Sequence, residues 1–271
     1  MKSLILAALV VVTGAAPALA ADQPARKLIK APSASDPAYN WGGWYVGVNA
    51  GGNWGRSDVA NTFNTGTSAI PLPNQPATPT AGSTSLTPNG FTAGAQLVYN
   101  HQVDRWLFGV EADAGFFGAR QTRKIDTPFP ITVSSFTTSN AVSTDWLFTL
   151  RPRVGYAVDR TLFYATGGLA LTELKYNGGF SDGLIQAEAA GFTKTKAGWA
   201  AGLGIEHAFT KNWTAKVEYL YTDFGKQSVV SPLSLGQSPA AGSVTNDVDL
   251  KAHTLRGGLN YHFGGPSVAR Y

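Results

Sequence analysis

The sequence contains no cysteine, so it forms no disulfide and offers no thiolate for metal binding or catalysis. Charged residues are also scarce, since Asp, Glu, Lys and Arg make up 14% of the 271 residues, and no basic run exceeds two residues. Domains that bind nucleic acid usually concentrate positive charge in a patch or stripe. We therefore expect no nucleic acid partner, although the formal net charge is +4.

The sequence also lacks an apolar run long enough to cross a bilayer as a helix, which takes about 20 residues. The run Leu4–Val12 follows Lys2 and precedes Ala18-Leu19-Ala20, an arrangement typical of a secretory signal peptide. We predict that residues 1–20 are an export signal cleaved after Ala20; a retained N-terminal anchor is the alternative. The proline-containing residues 21–43 are predicted to form a periplasmic linker.

Glycine and aromatic residues are abundant, with 31 Gly, 7 Trp, 10 Tyr and 14 Phe. Many segments alternate between apolar and polar residues, and a period of two predicts strands with two different faces. The predicted strands are 44–53, 89–101, 106–118, 144–157, 161–174, 195–208, 213–225 and 249–263. An exported chain that is rich in strands and aromatic residues is typical of an outer-membrane barrel.

The gaps between these strands alternate in length. The short gaps are 102–105, 158–160 and 209–212, and the long ones are 54–88, 119–143, 175–194 and 226–248. Short periplasmic turns and long external loops are the pattern of an outer-membrane barrel. The sequence thus predicts an all-β fold: an eight-stranded antiparallel up-and-down transmembrane β-barrel over 44–263, with four long external loops and a periplasmic tail at 264–271.

Aromatic residues lie near both ends of the predicted strands, where rings are expected to meet the lipid headgroups. The predicted aromatic girdles comprise Trp44, Trp54, Tyr99, Trp106, Trp146, Tyr156, Phe163, Trp199, Trp213, Tyr221, Tyr261 and Phe263.

The opposite strand faces carry charges that a barrel would turn into its lumen. The predicted lumen network comprises Glu111, Asp113, Arg151, Arg153, Lys196, Glu206, Lys216, Glu218 and Arg256. An eight-stranded barrel is just wide enough to be filled by side chains, and buried charges must be paired. The network therefore predicts a salt-bridged plug. A narrow pore is the alternative, because glycines on the same faces, such as Gly47 and Gly109, leave some space.

Basic residues outside the predicted membrane span are candidates for contacts with lipopolysaccharide phosphates through charge-assisted hydrogen bonds. They are Arg120, Arg123, Lys124, Lys175, Lys194 and Lys226, and a solvated rim of mixed charge is the alternative. We predict no metal site, no cofactor and no enzymatic activity, because the histidines avoid the long loops. His253 has no catalytic partner at a suitable spacing.

Several segments resemble a known family. They are Tyr39–Gly47, Gly94–Asn100, Arg151–Tyr156, Leu162–Ala170 and Leu255–Phe263. Together they are similar to the small outer-membrane barrels of alphaproteobacteria, described as porin-family or OmpA-like proteins. The resemblance implies an abundant, sometimes antigenic surface protein that supports the cell envelope. It also implies that the barrel-assembly machinery recognises a C-terminal aromatic residue, which is Phe263 or Tyr271 here.

The sequence leads to three functional hypotheses. The first is a structural outer-membrane barrel that supports the envelope and displays surface loops. The second is a narrow passive porin, and the third is an adhesin or receptor that acts through its loops. Outer-membrane lipid and lipopolysaccharide are the expected partners, and the oligomeric state stays open.

Overall fold

The computed structural model describes residues 39–65, 83–128, 135–181, 185–235 and 238–263. Strands dominate these residues: β1 (Gly43–Thr65), β2 (Thr84–Leu86), β3 (Asn89–Val103), β4 (Trp106–Pro128), β5 (Ser135–Val158), β6 (Thr161–Ser181), β7 (Ile185–Ala208), β8 (Trp213–Leu235) and β9 (Ser238–Phe263). Across this described part of the chain, no helix is long and apolar enough to span a membrane. The predicted signal, the linker up to residue 38 and the tail lie outside the described residues.

The strands form one antiparallel sheet in which each long strand pairs with its sequence neighbour, and β1 pairs with β9 to close the ring. The short strand β2 and strand β3 both pair with the same side of β1. They are separated at Thr87–Pro88, where the Gly55 amide donates to the Pro88 carbonyl at 2.7 Å. Since β2 and β3 share one position in the ring, the predicted eight-stranded up-and-down barrel is confirmed.

Tight turns join the strands at one end of the barrel, called the turn end below. Asp104–Arg105 joins β3 to β4, and Asp159–Arg160 joins β5 to β6. Asp104 and Asp159 have φ angles of 53° and 51°, in the left-handed region that aspartate tolerates better than most residues. The two turns share the sequence Val-Asp-Arg.

The strands extend much further from the turn end than the sequence predicts. β4 continues to Pro128 instead of residue 118, and β9 begins at Ser238 instead of residue 249. Much of each predicted long loop is therefore paired strand. The prediction was wrong because it ended each strand where the apolar/polar alternation ended. Backbone pairing needs no apolar face, and the Thr and Val residues of these segments favour strands.

The barrel interior contains a charged layer between two apolar layers. The turn-end layer consists of Tyr39, Trp41, Leu107, Ala157, Leu162, Tyr164 and Ala208. The far-end layer comprises Val59, Leu86, Phe117, Ala119, Val142, Leu147, Ala170, Leu174, Tyr176, Phe192, Ala200, Leu220, Phe224, Val248, Leu250 and Ala252. Tyr39 and Trp41, predicted to lie in the linker, are buried in the end of the barrel because their rings pack on the apolar side chains there.

Candidate functional site

The charged layer brings together acidic and basic side chains from five strands. Its members are Glu111 and Asp113 on β4, Arg151 and Arg153 on β5, Glu206 on β7, Lys216 and Glu218 on β8, and Arg256 on β9. Within each strand the inward side chains are two residues apart, as the pleat requires. The side chains that form ion pairs in this layer are at most 4% exposed.

Glu111 is the centre of this layer. Its Oε1 accepts from Lys216 Nζ at 2.8 Å and from an Arg151 guanidinium nitrogen at 3.0 Å. Arg153 and Arg256 each have a nitrogen 3.6 Å from a Glu111 oxygen. The Glu111 carboxylate thus contributes to the charge compensation of four cations.

The remaining carboxylates complete the layer. Arg256 contacts Glu218 at 2.7 Å and Asp113 at 2.8 Å, and Arg153 contacts Glu206 at 3.4 Å. The layer holds four carboxylates and four cations, so its formal charge is balanced. Such mutual pairing is what allows charges to be buried.

Lys196 is the one predicted network residue that lies outside the layer. Its Nζ donates to the Lys226 carbonyl at 3.0 Å and to Gln227 Oε1 at 3.4 Å, on the far-end side of Trp199. The alternation along the strand correctly predicted that Lys196 lies on the inward face. It did not predict the position of Lys196 along the barrel axis. Without Lys196 the charges of the layer balance, whereas the predicted set had one cation in excess.

Neutral amides that the sequence prediction missed connect the charged residues. Asn49 Nδ2 donates to Asp113 at 2.6 Å, Asn260 Nδ2 donates to Glu206 at 2.7 Å, and Arg153 Nε donates to Asn100 Oδ1 at 2.9 Å. Gln96 links two of these amides, because its Nε2 donates to Asn260 Oδ1 and its Oε1 accepts from Asn49 Nδ2. These residues lie at inward positions of their strands, so the same alternation could have identified them.

Tyr164 links the charged layer to the turn-end layer. Its hydroxyl donates to Glu218 Oε2 at 2.9 Å, and the guanidinium carbon of Arg153 lies 5.1 Å from the centre of its ring. This arrangement pairs a cation with an aromatic face in a buried site, where such contacts are strongest.

The inward glycines provide room for these side chains, and not for solvent. A Cβ atom on Gly47 would lie 2.0 Å from Asn260 Oδ1, and one on Gly109 would lie 2.3 Å from Asn100 Oδ1. A Cβ on Gly204 would lie 2.3 Å from the Tyr164 ring. The expectation that Gly47 and Gly109 leave space in the lumen was therefore wrong, because network side chains fill it.

The predicted girdle residues lie on the outer surface. At the turn end Trp44 packs on Tyr99, Trp106 on Tyr156 and Trp213 on Tyr261, with ring centres 4.9–5.3 Å apart. Phe163 and Phe263 are also exposed there. Toward the far end, Trp54 and Trp199 are exposed, and Trp146 and Tyr221 are half-buried. His253 belongs to this second ring: it stacks on Trp54, and its Nδ1 lies 2.6 Å from the Tyr219 hydroxyl.

The predicted lipopolysaccharide contacts lie on the far-end side of the second ring and differ in their surroundings. Arg120, Lys124, Lys194 and Lys226 are exposed, and Arg123 donates to the Ser85 carbonyl at 3.3 Å. Lys175 lies against Asp145 and Glu173, and hydrogen bonds to these two carboxylates raise its pKa above the ordinary value.

A closed antiparallel barrel with an apolar outer surface, two aromatic rings and a charged interior defines a small outer-membrane β-barrel. The chain matches the family described as outer membrane protein beta-barrel domain over residues 5–263. It is 34% identical over 276 residues to the 31 kDa outer-membrane immunogenic protein of Brucella melitensis, covering 97% of this chain and 100% of that protein.

A second relative supports this assignment. The chain is 30% identical over 188 residues to the 22 kDa outer membrane protein of Rhizobium leguminosarum bv. viciae, covering 69% of this chain and 66% of that protein. The outer membrane protease OmpT from Escherichia coli superposes with a TM-score of 0.46 and 9% identity, covering 83% and 98% of the two chains. The chain belongs to the outer membrane protein beta-barrel family and is located in the cell outer membrane, which confirms the resemblance found in the sequence.

Proposed function

We propose that this protein is a closed, non-enzymatic structural barrel that supports the outer membrane and displays its far end at the cell surface. The observation that carries the proposal is the charge-balanced layer of eight buried side chains across the interior. The apolar layers on either side add two further barriers to ions and water. A narrow porin would need a continuous polar path through the interior, and the two apolar layers favour the closed barrel over that alternative.

The display of the far end is supported by the length of the strands and by the relatives. Brucella relatives of this chain are named outer-membrane immunogenic proteins. We infer that the paired extensions of β4 to β9 form the surface that antibodies reach in this protein.

Conductance of the refolded mature chain in a planar bilayer tests the closed barrel. We expect no unitary openings at neutral pH in preparations whose folding is shown by heat-modifiable gel mobility. Reproducible openings of one size from the folded protein would replace the structural proposal with a pore. We expect no unitary openings because three layers must open together before ions can cross.

The supporting role needs a test in cells. A strain that lacks the protein is expected to become more sensitive to bile-salt detergents, and the wild-type barrel is expected to restore resistance. Unchanged sensitivity in the deletion strain would contradict a role in envelope support.

We further propose that Arg120 and Lys124 contact lipopolysaccharide phosphates. Both are exposed on β4 beyond Phe116, an exposed aromatic residue that pairs with Trp146 of the second ring, and each can donate charge-assisted hydrogen bonds. The double variant Arg120→Gln/Lys124→Gln should bind purified lipopolysaccharide more weakly at low salt, with a smaller difference at high salt. Equal binding at both salt concentrations would rule out these two contacts.

A further inference from the structure

The wall of the barrel has an interruption between β7 and β8. These strands pair continuously from Ala208↔Thr214 to Trp199↔Asp223, and pairing resumes only at Ala187↔Leu233. Within the described residues, 188–198 of β7 therefore form no ladder pairs with 224–232 of β8. We call this interruption the seam.

The two strands keep their other partners along the seam, except at residues 188–189 of β7 and 224–225 of β8. Thr193 of β7 pairs with Lys175 of β6, and Gln227 of β8 pairs with Val248 of β9. The seam is thus a slit in the hydrogen-bonded wall, meaning a stretch without ladder pairs, and not a frayed end. At its lower limit Gly198 still lies against β8, since a Cβ on Gly198 would be 2.8 Å from the Phe224 Cα. The seam therefore lies beyond Gly198 on the far-end side of Trp199, an exposed member of the second aromatic ring, and beside the outer lipid headgroups.

Three lysines surround the seam. Lys194 and Lys226 are exposed on its two sides, and neither forms an ion pair with any described residue. Lys196 crosses the slit to reach the Lys226 carbonyl and Gln227. Asp249 is the ladder partner of Lys226, and Asp223 is that of Trp199 at the start of the seam. Asp223 lies 3.9 Å from Lys251, so the three lysines outnumber the remaining carboxylate and favour an anionic group at the seam.

The inner side of the seam is apolar. Phe192 on β7 and Phe224 on β8 belong to the far-end layer, and Val229 on β8 packs against that layer. A molecule entering between the two strand edges would meet aromatic and aliphatic side chains directly behind the lysines. Each buried CH₂ group of such a molecule would add to its affinity.

We propose that the seam binds an anionic amphiphile with a single alkyl chain, namely a long-chain carboxylate. The carboxylate accepts hydrogen bonds from Lys194, Lys196 and Lys226, and the alkyl chain enters the slit between Phe192 and Phe224. Lys196 releases its bonds to β8 when the ligand is bound. The site opens through the wall at the far end, so it leaves the charged layer and the closed lumen unchanged.

Photolabelling with a twelve-carbon fatty acid that carries a terminal diazirine tests the site. The mature chain is refolded into phosphatidylcholine nanodiscs, labelled and analysed by mass spectrometry. The label is expected on residues 191–198 and 224–230, and excess laurate should suppress it more strongly than excess dodecanol. Label spread evenly over the lipid-facing surface, or equal competition by dodecanol, would overturn the proposal.

Charge variants provide the matched comparison. The triple variant Lys194→Gln/Lys196→Gln/Lys226→Gln should reduce seam labelling at least about tenfold, which corresponds to the loss of one charge-assisted hydrogen bond. Lys211→Gln makes the same change in the exposed turn at the other end of the β7–β8 hairpin and should leave labelling unchanged. Heat-modifiable mobility shows that each variant is folded. Undiminished labelling of the folded triple variant would refute the role of the lysines. Neither the labelling nor the mobility measurement depends on conductance, so this test is independent of the test of the closed barrel.

Discussion

At the scale of single residues, the interior is organised around Glu111. Four cations lie within 3.6 Å of its oxygens, and neighbouring carboxylates neutralise the remainder of their charge. A buried ion network of this kind adds little stability over well-packed apolar residues. Removing one member is costly, however, because it leaves an opposite charge buried without compensation.

Glu111→Gln should therefore destabilise the barrel strongly. We expect a loss of about 3–5 kcal/mol in the free energy of unfolding, measured by urea titration of tryptophan fluorescence in lipid vesicles. Glu173→Gln removes a carboxylate that is partly exposed and contacts Lys175 at 3.0 Å, so it should cost less than about 1 kcal/mol. Equal losses for the two variants would contradict the description of Glu111 as the centre of the layer.

Two glycines on opposite faces provide a second test at this scale. Gly47→Ala would place a methyl group 2.0 Å from Asn260 Oδ1 and 2.5 Å from the Leu259 carbonyl, and it should cost about 1–3 kcal/mol through overpacking. The control Gly257→Ala adds the same group where the nearest atom is 3.9 Å away, so its stability should stay close to wild type. The comparison uses the same urea titration, and a Gly47→Ala barrel of wild-type stability would show that the lumen has spare space.

At the scale of elements, the N-terminal segment before β1 acts as a cap on the turn end. Tyr45 donates from its hydroxyl to the Trp41 carbonyl at 2.7 Å, and Gln102 Oε1 accepts from the Trp41 amide at 2.6 Å. The Tyr39 ring packs edge-on against Trp41, with the ring centres 4.8 Å apart. The segment is thus bonded to strands on either side of it and continues the barrel interior.

Trp41→Ala should remove this cap. The indole of Trp41 is fully buried, and losing it should cost about 3–5 kcal/mol in unfolding free energy. Conductance should remain absent, because the charged and far-end layers still close the lumen. Trp44→Ala, at a position that is 51% exposed on the outer surface, is the control and should cost less. Stable channels in the Trp41 variant would mean that the turn-end layer is the principal barrier.

The sequence predicted the barrel well because alternation reports which face a residue occupies. It placed Glu111, Arg151 and Glu218 on the inward face, and the structure brings them into contact. Alternation does not report the height of a side chain along the barrel, so Lys196 was grouped with the network. It also does not detect a cap such as Trp41, whose burial depends on contacts with strands far along the chain.

At the scale of the whole molecule, the barrel is much taller than the membrane. Its strands other than β2 and β3 contain 21–26 residues, whereas a tilted strand crosses the bilayer with about 9–11 residues. At about 3.3 Å per residue and a tilt near 45°, such strands rise about 50 Å, against an apolar band of about 25 Å. We infer that the remaining height stands above the second aromatic ring, outside the cell.

This height leads to a prediction for proteolysis of intact cells. Arg120 and Lys124 lie outside the membrane and are exposed, but β4 is paired there with β5 through Arg120↔Ser143 and Lys124↔Ser139. Proteases cut unpaired, flexible chain in preference to paired strands. Trypsin added to cells should therefore cleave slowly after these two residues, although loops of the length predicted from the sequence would be cut quickly. Mass spectrometry of the released peptides, with heat-denatured protein as the positive control, measures the difference. Rapid cleavage after Lys124 in the folded protein would show that β4 and β5 separate above the membrane. The surface available to antibodies would then consist of mobile loops and not of a rigid extended barrel.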